Sequence, residues 1–172
     1  MLDFYAAPAA MSRLPDHPAL AGLPTDLDGL RCVVQGLLMH RELLHRALEL
    51  SAAPVTQPRP PEQRVLCICR HFALLYTALL RAQGTPARVR CGFSNYFDRA
   101  KWYDHWITER WDGARWVRDD PQVDQLQASA VAIDFDPYDQ PPGHFLTGSS
   151  RRRRQLSARG DPPGSPAADN FG

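Results

Sequence analysis

The most regular apolar pattern of the chain begins at Cys69 and ends before Gly84. Apolar side chains recur there at spacings of three and four residues, which predicts a helix with one buried face. The stripe consists of Phe72, Leu75, Tyr76, Leu79 and Leu80. Ala and Leu side chains between these positions widen the apolar face, so the helix should be almost entirely buried. Gly84 is well placed to cap its C-terminus, and Pro86 prevents its continuation.

A second helical pattern starts near Leu27, after Thr25 or Asp26 as a capping residue, and should run to about Leu50. Residues 1–26 are rich in Pro and Ala and are expected to be mostly irregular. Residues 51–63 hold four prolines and are expected to form a loop or linker.

After Gly84 the pattern changes from that of a helix to that of strands. Residues 87–93 alternate apolar and charged side chains, residues 94–101 read as a turn, and residues 102–111 and 114–117 read as two further strands. Asp112-Gly113 between these two is a strong hairpin signal. A short strand is also expected over 130–135. Helices followed by antiparallel strands predict an α+β fold, with the helix that begins at Cys69 packed on the sheet.

Composition and charge indicate one globular domain, assigned to residues 27–147. The 172 residues have a hydrophobic fraction of 44% and a net charge of 20 − 19 = +1. This balance gives no reason to expect nucleic acid or membrane as a partner. Residues 148–172 are rich in Arg, Pro, Gly and Ala and are expected to be a disordered low-complexity tail. Its arginine run, residues 151–154, is interpreted as solvated rather than as a binding patch.

Cysteine usage and the N-terminus together favour the cytoplasm. The first residues lack the basic region of a secretory signal, so the four cysteines are expected to be reduced thiols. Cys32 and Cys91 lie on apolar segments and are expected to be small core residues.

Cys69, His105 and Asp120 are the candidate catalytic residues. A helix N-terminus favours a thiolate, the nucleophilic form of cysteine, and Cys69 starts the predicted buried helix. A base must lie near such a thiol, and a third group must orient the base. His105 and Asp120, on and just after two adjacent predicted strands, supply both. Each of the three also has an ordinary structural reading, as a core thiol, a strand histidine and a turn acid before Pro121.

Three segments resemble the transglutaminase-like superfamily. Residues 69–89 resemble its nucleophile helix and following strand. Residues 105–109, His-Trp-Ile-Thr-Glu, resemble its histidine strand, and residues 116–121, Trp-Val-Arg-Asp-Asp-Pro, its closing motif. In that motif the acid precedes proline and follows tryptophan by four residues, which selects Asp120 over Asp119. The resemblance spans roughly residues 64–123 and is to small bacterial-type proteins.

This resemblance implies a papain-like fold with a Cys-His-Asp triad. Cys69 would attack a peptide or carboxamide carbonyl to form a thioester, His105 would transfer the proton, and Asp120 would orient the imidazole. The acyl group would pass to water or to an amine. The backbone N–H of Cys69 is a natural oxyanion donor. Gln35 is a speculative side-chain donor, although a structural role suits it better. No cofactor or metal is implied, and the expected partner is a peptide or amide substrate.

Two alternatives stay open. Cys67 stands where the family usually has a small residue, often glycine. A larger side chain there would crowd the turn before Cys69, so an impaired site is the alternative to an active one. An impaired domain would act as a protein-interaction module. Cys67 and Cys69 also form a Cys-x-Cys pair that would suit a soft metal or a redox role, but a zinc site needs two more ligands and only His71 is near. Asp134, Asp136 and Asp139 miss the spacing of a calcium loop.

Overall fold

The structure is a computed structural model that describes residues 1–14, 16, 20–40, 56–60 and 63–148. In these ranges it contains ten elements, four helices and six strands. They are α1 (Leu2–Ala6), α2 (Leu27–Leu37), β1 (Leu38–His40), β2 (Val65–Cys67), α3 (Cys69–Ala82), β3 (Ala87–Ser94), β4 (Tyr103–Trp111), β5 (Trp116–Asp119), α4 (Gln125–Ala130) and β6 (Phe145–Thr147). Helices packed on an antiparallel sheet make this an α+β fold, which confirms the predicted class.

The main sheet has four antiparallel strands in the order β5-β4-β3-β6. β3 and β4 form its centre and pair from Ala87 opposite Arg110 to Ser94 opposite Tyr103. β6 pairs with the end of β3, where a Cβ atom on Gly92 would lie 2.3 Å from the Leu146 carbonyl oxygen. Gly92 therefore allows β6 to close over this end of the sheet, beside the strand that carries His105.

The hairpin between β4 and β5 turns at Asp112-Gly113, as predicted. The Asp112 carboxylate accepts hydrogen bonds from the backbone N–H groups of Ala114 and Arg115, both at 2.8 Å. Gly113 has a φ of 107°, a region that glycine enters at little cost. The turn fixes the register of β5, and so the positions of the two aspartates at its end.

Helix α3 is the centre of the hydrophobic core. Tyr76, Leu79 and Leu80 are fully buried in it and pack with the apolar face of α2. At its C-terminus the N–H of Thr85 donates to the Leu80 carbonyl at 2.9 Å, and Gly84 has a φ of 77°. This is a Schellman cap, so the glycine acts as the sequence predicts. The buried helix holds its first residue in a fixed position.

Helix α2 starts where predicted but ends earlier. The Asp26 side chain caps it by accepting a 2.7 Å hydrogen bond from the Gly29 N–H. The helix was expected to run to about Leu50, yet Leu38 is already extended and starts β1, which pairs in parallel with β2. Strand pairing gives these backbone groups partners outside the helix and overrides their helical spacing. Residues 41–50 of the predicted helix lie outside the described residues.

The structure differs from three other expectations. Residues 1–26 contain α1, whose Tyr5 ring packs edge-on against Trp116 at 5.2 Å. No strand forms over 130–135, since α4 extends to Ala130 and a turn follows it. Cys32 and Cys91 are exposed thiols and not core residues. The predicted tail lies, apart from Gly148, outside the described residues.

Across the described segments, no helix combines the length and the apolar character that a membrane crossing requires.

Candidate active site

Cys69 is the first residue of α3 and follows directly on β2 and the extended residue Ile68. Its side chain lies at the edge of the core, with 8% of the residue exposed. The first backbone N–H groups of a helix have no partner within it, so they surround this thiol with partial positive charge. Burial of the rest of α3 holds the thiol in place at the end of the core.

His105 and Asp120 form a buried hydrogen-bonded pair. His105 Nε2 lies 2.7 Å from Asp120 Oδ2, and the side chains are 4% and 0% exposed. His105 lies in β4 opposite Gly92 of β3, while Asp120 directly follows β5. Because β4 and β5 are neighbours in the sheet, their ends bring these two residues together although 15 positions separate them. With Nε2 committed to Asp120, the other ring nitrogen, Nδ1, is the one left to act on a thiol.

Electrostatics favour the protonated form of His105. Burial lowers its pKa, but the charge and hydrogen bond of Asp120 and a further hydrogen bond and charge interaction with Cys69 outweigh burial. The net effect raises the pKa of His105 from 6.5 to about 9. At neutral pH the ring is therefore an imidazolium ion, and a deprotonated Cys69 would form an ion pair with it. Through this interaction with His105, Cys69 joins His105 and Asp120 as the third residue of the site.

This pKa predicts how stability depends on pH. Because folding raises the His105 pKa, the folded state binds more protons than the unfolded state between the two values. Protonation of His105 therefore stabilises the folded state by at most about 3 kcal/mol. This stabilisation is complete below about pH 6.5 and is lost as the pH rises through about 9. We expect urea unfolding to show this fall in the wild type but not in His105→Ala. A Cys69→Ala variant should keep most of it, since Asp120 is the larger cause; the same pH slope in all three proteins would contradict the assignment.

Asp120 is held by three donors. Besides His105, the Tyr96 hydroxyl donates to Oδ2 at 2.7 Å and the Gln122 backbone N–H donates to Oδ1 at 3.1 Å. Gln140 in turn donates to the Tyr96 oxygen at 3.2 Å. Burial and the Asp120 charge raise the Tyr96 pKa well above its usual value, so this hydroxyl stays a donor. No pattern in the sequence pointed to Tyr96, which lies in a segment predicted only to be a turn.

A cavity of about 480 Å³ opens beside Cys69 and His105. Its lining combines apolar side chains, two carboxylates and two carboxamides with the two candidate catalytic residues. The lining residues are Cys69, Phe97, Asp98, Tyr103, Asp104, His105, Gln122, Leu126, Gln127, Ala130 and Val131. A substrate group in this cavity would therefore lie directly at the thiol and the imidazole.

Comparison with known protein families gives a match over part of the chain. Residues 46–121, which include all three site residues, match the model of the Transglutaminase-like superfamily. The chain contains a transglutaminase-like domain. A solved structure of a candidate cysteine protease from Cytophaga hutchinsonii is also similar, with 18% identity and a TM-score of 0.38 over 57% of this chain. The similar region spans 31% of that protein. Among curated proteins, none matches.

Within this transglutaminase-like domain, Asp119 and Asp120 have different surroundings. Asp119 ends β5 and accepts hydrogen bonds from Arg31 Nη2 at 2.7 Å and Arg110 Nε at 2.9 Å. The hydroxyl of Tyr76 also donates to it, at 3.1 Å. Since consecutive residues of an extended segment point to opposite sides, Asp119 faces the core helices while Asp120 faces His105. This separation agrees with the choice of Asp120 from the tryptophan spacing.

Other residues considered from the sequence of the transglutaminase-like domain have structural contacts. The Gln35 amide donates to the carbonyl oxygens of Pro121 and Val123 at 3.2 and 3.4 Å, so it holds the loop after Asp120 and does not line the cavity. His71 Nδ1 accepts from the Ile68 N–H at 3.3 Å and caps α3. In the described part of the chain, His, Cys, Asp and Glu side chains form no group of three that would hold a metal ion.

Proposed function

We propose that the transglutaminase-like domain is a cysteine hydrolase or acyltransferase that acts on peptide or carboxamide bonds through a thioester intermediate. The observation that carries this proposal is the buried 2.7 Å contact between His105 and Asp120, with Cys69 on the same cavity and in electrostatic contact with the ring. The carboxylate beside His105 is itself held by two further donors, Tyr96 and the Gln122 N–H. Such a constellation suits a base that must cycle between two protonation states.

The proposed reaction has two halves. Cys69 Sγ attacks the carbonyl carbon, the C–N bond breaks, and the His105 imidazolium gives its proton to the leaving amine or ammonia. Water or a second amine then attacks the thioester, His105 accepts its proton, and the Cys69 thiolate leaves. The oxyanion formed in each half would accept a hydrogen bond from the Cys69 backbone N–H, which has no intrahelical partner at this position.

Asp120 has an orienting role in this scheme. Its hydrogen bond to Nε2 keeps that nitrogen protonated and leaves Nδ1 to exchange a proton with sulfur. Tyr96 and the Gln122 backbone N–H keep the carboxylate in place. We also propose a cytoplasmic setting, since the mechanism requires a reduced thiol. We propose no nucleic-acid or membrane partner, since the net charge of +1 offers no electrostatic reason for one.

The test is direct detection of the acyl-enzyme. Incubation with p-nitrophenyl acetate should give one acetyl adduct per chain by intact mass spectrometry, lost with hydroxylamine as a thioester is. Peptide mapping should place the adduct on Cys69. Glycinamide added during turnover separates the two activities, because an acyltransferase yields acetylglycinamide and a hydrolase yields acetate.

The other thiols provide the controls. Cys69→Ala should abolish the adduct, whereas Cys67→Ala and Cys91→Ala should keep it. Cys91 is the stricter control, because it is exposed and Cys69 already acts on it electrostatically. An adduct confined to Cys91, or none at all, would contradict the proposal and leave the interaction module as the function.

A further inference from the structure

Two residues of the cavity lining have carboxamide oxygens without a hydrogen-bond partner. Gln122 is 6% exposed, its Oε1 atom is fully buried, and its backbone N–H is fixed to Asp120. Gln127 Oε1, on α4, is also buried without a partner. A buried oxygen without a hydrogen-bond partner destabilises the folded protein. Both residues line the cavity beside Cys69, so a rotation of either side chain would turn its carboxamide oxygen toward a bound group that brings N–H donors.

Two carboxylates add negative charge to the same cavity. Asp98 accepts hydrogen bonds from the Ala100 N–H and the Tyr103 hydroxyl at 2.9 and 3.2 Å, and both donors are uncharged. Asp104 adds a second carboxylate, which is exposed. The lining contains no lysine or arginine among the residues that the structure describes. His105 is its one cationic side chain, and Asp120 balances that charge.

The remaining lining is apolar and suits a hydrocarbon stem. Leu126 is 76% exposed at the cavity, and Phe97 and Val131 add further apolar surface. Long basic side chains combine a methylene stem with a charged head that carries several N–H donors. The cavity offers the complementary set: apolar walls, carboxamide oxygens and carboxylates.

We propose that this cavity is a specificity pocket for a guanidinium or ammonium side chain of the substrate, close to the amide bond that Cys69 attacks. The inference rests on the proposed function for its place in catalysis, but the binding itself does not require the thiol. An acidic side chain would meet the two carboxylates and bring no donor for the carboxamide oxygens. A neutral aliphatic side chain would fill the walls and leave those oxygens unpaired.

Binding is tested first without the nucleophile. The Cys69→Ser protein is titrated by calorimetry with the N-acetyl amides of arginine, lysine, norleucine and glutamate. The arginine or lysine compound should bind at least about tenfold more tightly than the norleucine compound, since only the basic head forms charged hydrogen bonds with the lining. Comparison of arginine with lysine decides between the guanidinium and the ammonium head. Equal affinity for all four, or a preference for glutamate, would overturn the proposal.

Matched variants locate the preference. Gln122→Met keeps the side-chain size but removes the carboxamide, and Asp98→Asn with Asp104→Asn removes the charges; each change should bring the ratio of basic to norleucine affinity close to one. Gln125→Met and Asp3→Asn make the same chemical changes at exposed positions outside the lining and should leave the ratio unchanged. A ratio that survives both lining changes would overturn the proposal.

A covalent assay separates this inference from the proposed function. Chloromethyl ketones of arginine and norleucine should both alkylate wild-type Cys69, the arginine compound at least about tenfold faster. Alkylation at equal rates would support the nucleophile and overturn the pocket. An inert Cys69 with a basic preference retained in the calorimetric titration would support the pocket and overturn the proposed function.

Discussion

Replacing His105 by alanine is expected to slow alkylation of Cys69 by iodoacetamide at pH 7 by a factor of about 10² or more, which is the usual contribution of a positioned base. The ring carries a positive charge at this pH because Asp120 raises its pKa to about 9 despite burial. This charge stabilises the neighbouring thiolate, the form that reacts. Without it, alkylation should become fast only in alkaline solution. Rates measured from pH 5 to 10 give the profile.

His71→Ala is the matched control for this experiment. His71 lies in the first turn of α3, two residues after Cys69, and its contact is the 3.3 Å cap to the Ile68 N–H. Its loss should perturb the helix start but leave the pH profile of alkylation nearly unchanged. If both histidine variants shift the profile equally, or if His105→Ala leaves it unmoved, His105 is not the base.

Asp120→Asn extends the same argument to the third residue. The asparagine keeps the size of the side chain but removes the charge that raises the His105 pKa. Alkylation at pH 7 should fall toward that of His105→Ala, while Tyr96 retains an acceptor oxygen. The three rates together show whether the charge or only the packing at this position matters.

Local signals in the sequence account for the parts of the fold that were predicted. The apolar stripe of α3 predicts its buried face from the residues of the helix alone. The cap at Gly84 and the turn at Asp112-Gly113 likewise depend only on residues close to them in the chain. The choice of Asp120 over Asp119 also depended on a short spacing, and the hydrogen bond to His105 agrees with it. Whether these residues are catalytic stays a prediction.

Long-range contacts explain what the sequence did not show. β1 and β6 have three residues each and exist because distant strands pair with them, so no local period marks them. Tyr96 and Gln122 contribute to the site through Asp120, and their places become apparent only when β4 and β5 are side by side. The prediction of a strand over 130–135 was wrong. It was inferred from a short apolar run, and length and periodicity do not assign such a run to one kind of structure.

Replacing Asp119 by alanine is expected to lower the free energy of unfolding by about 3–5 kcal/mol, the usual cost of removing one partner of a buried ion pair. Asp119 is fully buried and joins α2 to the sheet through Arg31, which is itself 5% exposed, and through Arg110. The change would leave two guanidinium groups and the Tyr76 hydroxyl without their acceptor inside the core. Urea unfolding followed by circular dichroism measures the loss.

Asp134→Ala is the control, since it removes a carboxylate that pairs with Arg99 at 2.8 Å while both side chains are more than 60% exposed. Exposed pairs contribute at most about 1 kcal/mol, so this variant should unfold almost like the wild type. The stability of Asp119→Asn should fall between those of Asp119→Ala and Asp134→Ala, because it keeps an acceptor for Tyr76 but loses the charge that Arg31 and Arg110 need.

Asp119 also affects the candidate active site, because it is the backbone neighbour of Asp120. A displaced Asp119 should move Asp120 away from His105. Folded Asp119→Asn protein should therefore alkylate more slowly at Cys69 than Asp134→Ala; equal stability and equal reactivity in the two variants would show that the Arg31–Asp119 pair does not position the site.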